Sequence, residues 1–279
     1  MIIIKEAHQL RVLKGLMGHN DGKTGFVPTM GALHDGHISL INKSKQENAL
    51  TICSIFVNPT QFNNIQDFNK YPITIESDIN KLENAACDIL FLPSVEEMYP
   101  PNEINEHYEL GLLENILEGK YRPGHFQGVC IIVDKLLLAV NPSKLYLGRK
   151  DYQQCMVISK MINDKNYNIE VDVCDTIREI DGLAMSSRNL RLNAAERKNA
   201  LRIIESLQII KSDIKEGSLT EIKLRATNFL QGHGYKVDYI EIADAESLEI
   251  INDWDGKKKL VALVAAYLNE VRLIDNLIL

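Results

Sequence analysis

The sequence predicts an α/β fold: a Rossmann-like, doubly wound parallel sheet with a smaller C-terminal α+β domain. Up to about residue 175, short apolar runs alternate with stretches of helical periodicity, which is typical of a parallel sheet with helices on both faces. After Asp175 the helical stretches and the alternating apolar runs are grouped instead. We therefore expect one domain over residues 1–175 that contains the ligand-binding site and a second over residues 176–279 that forms a lid over that site.

Within the first domain, strands are predicted where buried apolar runs end in turn residues, and helices where apolar residues recur with helical spacing. The predicted strands are residues 25–28, 51–57, 88–93 and 144–148. The predicted helices are residues 37–48, 74–86, 129–140 and 152–163. The apolar residues 1–4 form a strand or lead into a helix. Ligands of such sheets bind at the carboxyl ends of the strands, at the topological switch point, so we expect a site after residues 25–28.

The second domain is predicted to contain two helices and then three strands. The helices are residues 194–215 and 220–232, and the glycines of the Gly232-His233-Gly234 turn end the second one. Alternating apolar runs over residues 237–243, 260–268 and 271–279 are typical of strands.

Composition and charge exclude several classes of protein. The net charge is −7 and no basic block is present, which argues against a nucleic-acid partner because phosphate neutralisation needs clustered positive charge. The chain starts without the pattern of a signal peptide, and its longest apolar run, residues 260–268, is too short to span a bilayer. The 5 cysteines are scattered and never form a C-x-x-C pair, so we expect core packing without disulfides or structural zinc. These features predict a cytoplasmic protein with no membrane partner.

The segment of residues 26–37, FVPTMGALHDGH, begins in a predicted strand, and its two histidines follow that strand and open a helix. His34 and His37 are three positions apart, so they lie on one face of that helix. A helix N-terminus favours phosphate, and Gly31 and Gly36 lack a Cβ, so a nucleotide can approach the backbone there. The segment predicts a site for the phosphates of ATP; two surface imidazoles beside a turn are the alternative. Residues 18–24 also resemble a phosphate-binding loop, but they precede a strand and are interpreted as a turn.

Polar residues in two further loops are candidates for substrate contacts. Asn58 and Gln61 lie in a proline turn after the second strand, facing the same crevice as the histidines. Carboxamides donate and accept hydrogen bonds, which suits a substrate with a hydroxyl and a carboxylate, although a merely polar turn is the alternative. Arg122 and His125 are cationic candidates near an anionic substrate, or they belong to a lid or subunit contact, and their role stays open.

A second strand-to-helix junction carries charged residues. Gly148 stands at the junction, and Lys150 is a compact charge suited to phosphate oxygens. Asp151 binds a ribose hydroxyl, assists a metal or caps the helix, and these alternatives remain open. Gln154, one turn further on, is a candidate for the second substrate.

A third candidate segment follows the acidic, flexible stretch around residues 178–182. Ser186, Ser187 and Arg188 supply two hydroxyls and a guanidinium, which can close over a triphosphate and stabilise charge that develops during transfer. A serine-rich linker between domains is the alternative.

Five segments, taken together and in order, resemble those of the pantothenate synthetases. They are PTMGALHDGH, which contains the HxGH motif of nucleotidyl-transferring synthetases, FVNPTQF, RPGHFQGV, YLGRKDYQQ and DGLAMSSRN. The resemblance implies ATP-dependent condensation of pantoate with β-alanine, giving pantothenate, AMP and diphosphate through a pantoyl adenylate. It also implies Mg²⁺ accompanying the triphosphate and a homodimer as the assembly.

The resemblance implies roles for individual residues as well. His37 would be the proton donor, and His34, Lys150 and Arg188 would share the catalytic work. Gln61 would contact pantoate and β-alanine, and Gln154 would contact pantoate. Asn58 is a further substrate-binding candidate because it shares the proline turn of Gln61. The ATP-binding residues would be Met30, Gly31, Ala32, Leu33, His34, Asp35, Gly36, His37, Gly148, Arg149, Lys150, Asp151, Ile177, Met185, Ser186, Ser187 and Arg188.

Two positions depart from the family pattern. Arg149 stands where the family usually has an acidic residue, and it adds positive charge beside Lys150. Ile73 stands where the family often has arginine, which removes a possible salt bridge or subunit contact. Neither change removes a group that the reaction requires.

Other functions fit the sequence less well. Another nucleotidyltransferase of the same fold would share the two histidines but would have no need of the carboxamides at Asn58, Gln61 and Gln154. A tRNA synthetase commonly carries lysine where Ser186, Ser187 and Arg188 stand, and an acidic C-terminal domain suits tRNA poorly. A non-catalytic nucleotide-binding module would have little use for cations on both sides of the α-phosphate.

Overall fold

The computed structural model of the chain describes residues 1–17, 23–101, 103–104 and 106–279. Most of the turn predicted over residues 18–24 lies outside the described residues. The chain divides into two compact units, one of residues 1–149 and 154–176 and the other of residues 150–153 and 177–279.

The first unit is built on a parallel sheet. Among the described residues it has six strands in the order β1-β4-β3-β2-β5-β6. They are β1 (Ile2–Ile4), β2 (Thr24–Thr29), β3 (Leu50–Ile55), β4 (Ile89–Phe91), β5 (Lys144–Gly148) and β6 (Glu170–Cys174). Every residue of β3 is buried, as expected of a central strand covered on both faces. The N-terminal apolar run is the strand β1, and the Rossmann-like sheet is confirmed.

The order of the strands defines a switch point between β2 and β5. The chain runs outward from β2 through β3 to β4, and it then crosses to β5 and β6 on the other side of β2. Both neighbours of β2 pair with it in parallel, so the carboxyl ends Thr29 and Gly148 lie at one edge of the sheet. The crevice at this edge is where doubly wound folds bind their ligands.

Helices flank this sheet, and two of them begin earlier than predicted. The helices are α1 (Ala7–Leu16), α2 (Asp35–Glu47), α3 (Ile65–Asn69), α4 (Ile75–Asn84), α5 (Val95–Met98), α6 (Leu117–Tyr121), α7 (His125–Val140) and α8 (Tyr152–Asp164). The earlier starts of α2 and α7 place His37 in the first turn of α2 and His125 at the beginning of α7. None of these helices in the described part of the chain is long and apolar enough to cross a membrane.

The second unit is an α+β structure with an antiparallel sheet in the order β11-β10-β8. Its helices are α9 (Ala194–Asn199), α10 (Arg202–Asp213) and α11 (Thr220–Gly232). Its strands are β7 (Gly217–Ser218), β8 (Lys236–Asp244), β9 (Asp253–Trp254), β10 (Leu260–Leu268) and β11 (Val271–Ile278). Side chains of α10 and α11, such as Leu207 and Leu230, form one buried cluster with Ala262 and Val264 of β10. The predicted α+β class of this part is confirmed.

The single helix predicted over residues 194–215 is wrong in one respect. Helices α9 and α10 are separated at Ala200 and Leu201, where the backbone stays right-handed but Ile203 N–H bonds to the Ala200 carbonyl oxygen three residues back. Helix α10 then ends at Asp213 because Ile214 turns to an extended conformation and packs against the buried cluster. A periodic pattern cannot register such a local tightening, since the apolar face continues across it.

The 5 cysteines are free thiols, as predicted, and burial makes Cys53, Cys87 and Cys130 poorly reactive. Burial raises the pKa of Cys87 to about 11 and of Cys130 to about 12, and it raises the pKa of Cys53 well above its usual range. At pH 8 a thiol with a pKa of about 11 is ionised in about one molecule in a thousand, and only the thiolate is nucleophilic.

We therefore expect Cys53, Cys87 and Cys130 to resist a thiol reagent such as DTNB at pH 8 in the folded protein. All 5 cysteines should react once the protein is denatured. Mass spectrometry of the labelled protein identifies the modified positions. Rapid labelling of any of these three thiols in the folded state would contradict the assignment to the core.

Candidate active site

The segment between β2 and α2 is a tight, buried loop. Gly31 has φ +80° and Ala32 has φ 48°, so two consecutive residues adopt the left-handed conformation. The Thr29 hydroxyl donates to the Ser54 carbonyl oxygen at 2.7 Å and accepts from the Gly31 N–H at 3.2 Å. The loop lies at the carboxyl end of β2, at the switch point, where doubly wound folds bind their ligands.

The two histidines of the HxGH motif contact each other at the start of α2. His34 is the N-cap residue in an extended conformation, and its ring centroid lies 4.0 Å from that of His37. The His34 backbone N–H bonds to Nδ1 of His37 at 3.3 Å. Because Nδ1 accepts this bond, the ring proton of neutral His37 lies on Nε2, which can then donate to a ligand.

Asn58 is 1% exposed and makes several hydrogen bonds within the protein. Its amide nitrogen donates to Oε1 of Gln61 at 3.2 Å and to the Gly128 carbonyl oxygen at 3.0 Å. Its amide oxygen accepts from the hydroxyls of Tyr99 at 2.7 Å and Thr60 at 3.1 Å. The hydrogen bonds of the Asn58 side chain therefore stabilise the turn that carries Gln61.

The Gln61 side chain contacts the loop after β2. Its amide nitrogen, Nε2, lies 2.8 Å from Sδ of Met30. This contact joins the turn of Gln61 to the loop between β2 and α2.

The backbone of Gln61 is held by residues whose role the sequence leaves open. The Gln61 carbonyl oxygen lies 2.8 Å from Nδ1 of His125 and accepts from Nη2 of Arg122 at 3.4 Å. Nη1 of Arg122 lies 3.1 Å from Nε2 of His125 and 3.4 Å from the Glu118 carboxylate. Since arginine only donates, Nε2 of His125 accepts and its Nδ1 donates to the Gln61 carbonyl. Arg122 and His125 therefore support the turn of Gln61 in this structure.

Helix α7 approaches this turn so closely that only glycine fits at residue 128. A Cβ built on Gly128 would lie 2.5 Å from the carbonyl oxygen of Thr60 and 3.0 Å from Cα of Gln61. Both are backbone atoms, which cannot move aside without displacing the turn. Gly128 lies within the RPGHFQGV segment, but only the packing shows why a glycine stands there.

The end of β5 carries a residue that departs from the family pattern. Gly148 ends the strand, and the guanidinium of Arg149 forms an ion pair with Asp175, whose side chain is largely exposed. The extra positive charge of Arg149 therefore has an acidic partner in the first unit. Gln154, in α8, is half-buried.

In the second unit, the remaining predicted residues lie in two segments. Nζ of Lys150 forms an ion pair with Asp151 at 3.0 Å, and the Lys150 carbonyl oxygen accepts from the Asn276 side chain at 2.9 Å. Ile177 pairs with Met185, whose N–H bonds to the Ile177 carbonyl oxygen at 3.0 Å. Ser186 accepts from the backbone N–H of Arg188 at 3.3 Å, and Ser187 is buried.

An ion pair between residues far apart in the sequence supports the second of these segments. Arg178 donates from both terminal nitrogens to the buried carboxylate of Asp275, at 2.6 and 3.0 Å, and also to the Gly182 carbonyl oxygen at 3.1 Å. Burial raises the pKa of Asp275, and the guanidinium opposes that shift. Bidentate pairs of this kind fix geometry as well as charge, so Arg178 ties the turn before Met185 to β11.

A metal centre made by the protein alone is not found in the described part of the chain. No group of three or more His, Cys, Asp or Glu side chains there could hold a metal ion.

Comparison with known proteins places the chain in a family. The family model described as pantoate-beta-alanine ligase matches residues 2–278. The pantothenate synthetase of Cytophaga hutchinsonii is 47% identical over an alignment of 282 residues that covers 100% of this chain and 99% of that protein. The corresponding enzyme of Dehalococcoides mccartyi is 47% identical over 262 residues, with 92% and 96% coverage.

Solved structures agree with this placement. The crystal structure of the pantothenate synthetase from Thermus thermophilus has a TM-score of 0.91 and 38% identity, and the match covers 99% of both chains. The ligase from Francisella tularensis, complexed with beta-gamma ATP and β-alanine, has a TM-score of 0.83 and 40% identity, with 100% of this chain and 97% of that chain covered. The chain thus belongs to the family of pantoate–β-alanine ligases.

Proposed function

We propose that the chain catalyses the ATP-dependent condensation of pantoate with β-alanine to give pantothenate, AMP and diphosphate. The observation that supports this function most directly is the contact of Gln61 with Met30. It places a buried carboxamide, suited to a hydroxy acid, against the loop that leads into the two histidines. A nucleotidyltransferase that only binds phosphorylated substrates would have no use for that amide.

The ATP site consists of the residues that the family resemblance implies. In the first unit they are the backbone from Met30 to His37, with Gly148 and Arg149. The N-terminus of α2 favours the negative charge of the phosphates, and left-handed Gly31 and Ala32 shape the loop before it. In the second unit they are Lys150, Asp151, Ile177, Met185, Ser186, Ser187 and Arg188.

The first step forms pantoyl adenylate. An oxygen of the pantoate carboxylate attacks the α-phosphorus of ATP, a new P–O bond forms, and the bond to the β-phosphate oxygen breaks to release diphosphate. The side chains of His34, Lys150 and Arg188 offset the negative charge that develops on the phosphates. His37 is the proton donor and acts through Nε2, which carries the ring proton because Nδ1 accepts from the His34 N–H. No covalent nucleophile from the protein is needed.

The second step transfers the acyl group. The neutral amine of β-alanine attacks the acyl carbon, a C–N bond forms, and the C–O bond to AMP breaks. Gln61 contacts pantoate and β-alanine and Gln154 contacts pantoate, while Asn58 contributes by fixing Gln61 through the bond to Oε1. The proton of the amine leaves through a water chain or to the phosphate of AMP.

The finer parts of the proposal rest on the family resemblance, for Mg²⁺ and the homodimer, and on the sequence pattern, for the lid and the location. Mg²⁺ accompanying the triphosphate would supply charge neutralisation during transfer. Residues 176–279 act as a lid, the protein is a homodimer and it resides in the cytoplasm. The metal dependence of the activity tests the role of Mg²⁺, and loop variants test the lid. Sedimentation tests the homodimer, and cell fractionation tests the location.

An isotope experiment tests the chemistry. Pantoate labelled with ¹⁸O in its carboxylate is incubated with ATP and β-alanine, and the products are analysed by mass spectrometry. Attack on the α-phosphorus requires one labelled oxygen in AMP and none in diphosphate. Label in diphosphate or in inorganic phosphate would contradict the adenylate route, and an absence of pantothenate would contradict the proposed function.

A further inference from the structure

We propose that Asp78 is a positioning residue that fixes the nucleotide loop before the HxGH histidines. The inference rests on the proposed function, because it concerns the loop that would hold ATP. Asp78 belongs to α4 and lies far from the loop in the sequence, outside the five segments that identify the family.

The Asp78 carboxylate accepts hydrogen bonds from the backbone of the loop. Its side chain is 0% exposed, and its two carboxylate oxygens accept from the backbone N–H groups of Ala32 at 2.9 Å and Leu33 at 2.8 Å. The Thr74 hydroxyl donates to the same carboxylate at 3.1 Å. Hydrogen bonds to an ionised carboxylate are shorter and stronger than those between neutral groups, so this contact determines local geometry.

The loop needs such a partner because of its backbone conformation. Gly31 and Ala32 are both left-handed, and an alanine persists in that region only when its surroundings hold it there. Ala32 and Leu33 are both buried, so their N–H groups require an acceptor inside the protein. The two oxygens of one carboxylate meet that requirement for consecutive residues.

A second side chain of the same helix contacts the backbone carbonyl group of Leu33 in this loop. Nζ of Lys81, one turn after Asp78 on α4, donates to the carbonyl oxygen of Leu33. Helix α4 therefore binds both the N–H and the C=O of the residue directly before His34. The direction of the chain as it enters α2, and with it the position of both imidazoles, depends on this contact.

The substitution Asp78→Asn tests the proposal. An amide of similar size keeps one acceptor oxygen but presents N–H groups where the second backbone N–H must bond. We expect the Kd for ATP, measured by calorimetry well below the melting temperature, to rise about tenfold or more, and the kcat of pantoate-dependent ATP–pyrophosphate exchange to fall by a similar factor.

Asp88→Asn is the matched control. Asp88 also accepts a backbone N–H, that of Thr51 at 2.7 Å, and it pairs with Lys45 at 2.8 Å, but it lies at the amino-terminal end of the strands. The control variant should lose thermal stability while keeping the wild-type Kd and kcat. A purely structural role for Asp78 would give the same pattern in Asp78→Asn, and that result would overturn the proposal.

Two further measurements distinguish a failure of this proposal from a folding defect and from a failure of the proposed function. If Asp78→Asn does not fold, Thr74→Val removes one donor to the carboxylate, and a raised Kd for ATP is expected while an unchanged Kd contradicts the proposal. If the wild-type protein binds ATP but shows no pantoate-dependent exchange, the proposed function fails, whereas the Kd comparison still decides the role of Asp78 in holding the loop.

Discussion

Replacing His37 with alanine is expected to slow the formation of pantoyl adenylate by about 10²- to 10³-fold. His37 lies in the first turn of α2, its Nδ1 accepts from the His34 N–H, and its Nε2 therefore carries the ring proton. The variant loses the donor that offsets charge when the bond to diphosphate breaks. Rapid-quench measurement of the first turnover with ATP and pantoate reports this step directly.

His233→Ala is the matched control for His37. His233 is also a histidine at a helix terminus, the C-cap of α11 in the second unit, where Nδ1 lies 2.7 Å from the Phe229 carbonyl oxygen. Its removal should leave the first turnover unchanged. Equal rates in wild-type and His37→Ala protein would remove His37 from the chemistry, and an equal loss in both variants would attribute the effect to folding.

The second large effect is expected from Gly128→Ala. The new Cβ would stand 2.5 Å from the Thr60 carbonyl oxygen, so either helix α7 or the turn of Gln61 must shift. Overpacking of this kind costs about 1–3 kcal/mol of stability. A displacement of about 1 Å in a substrate-positioning group can cost about 10²-fold in rate, so kcat/KM for pantoate should fall by that order.

Gly15→Ala separates this effect from the general consequences of changing a helical glycine. Gly15 is also within a helix, α1, and a Cβ there would meet no heavy atom within 4 Å. We expect wild-type activity and a stability equal to or slightly above that of the wild type, since alanine is the better helix former by about 1 kcal/mol. Wild-type kcat/KM for pantoate in Gly128→Ala would contradict the proposed packing of Gln61.

The fold was predictable where the apolar pattern is strong. Residues 144–148, 220–232 and 260–268 were predicted as elements and have those bounds in the structure. Strand β6 was missed because its residues, EVDVC, are only partly buried at the edge of the sheet. The α/β class, which the alternation of strands and helices predicts, and the ligase activity, which the five segments together predict, are both confirmed.

The residues that hold the site in place are harder to predict from the sequence. His34, His37, Asn58 and Gln61 belong to two short segments with recognisable chemistry, whereas Asp78 contacts Ala32 from 46 positions away. Nothing local marks that aspartate, since α4 is an ordinary amphipathic helix in the sequence. Arg178 and Asp275 are likewise 97 positions apart, so only the tertiary structure pairs them.

Pantoate-dependent exchange of pyrophosphate into ATP, with β-alanine withheld, tests the central claim most directly. The exchange requires reversible formation of pantoyl adenylate and nothing from the second step. We expect exchange that depends on pantoate and that His37→Ala reduces by about two orders of magnitude or more. An absence of exchange in a wild-type protein that binds ATP would contradict the two-step mechanism.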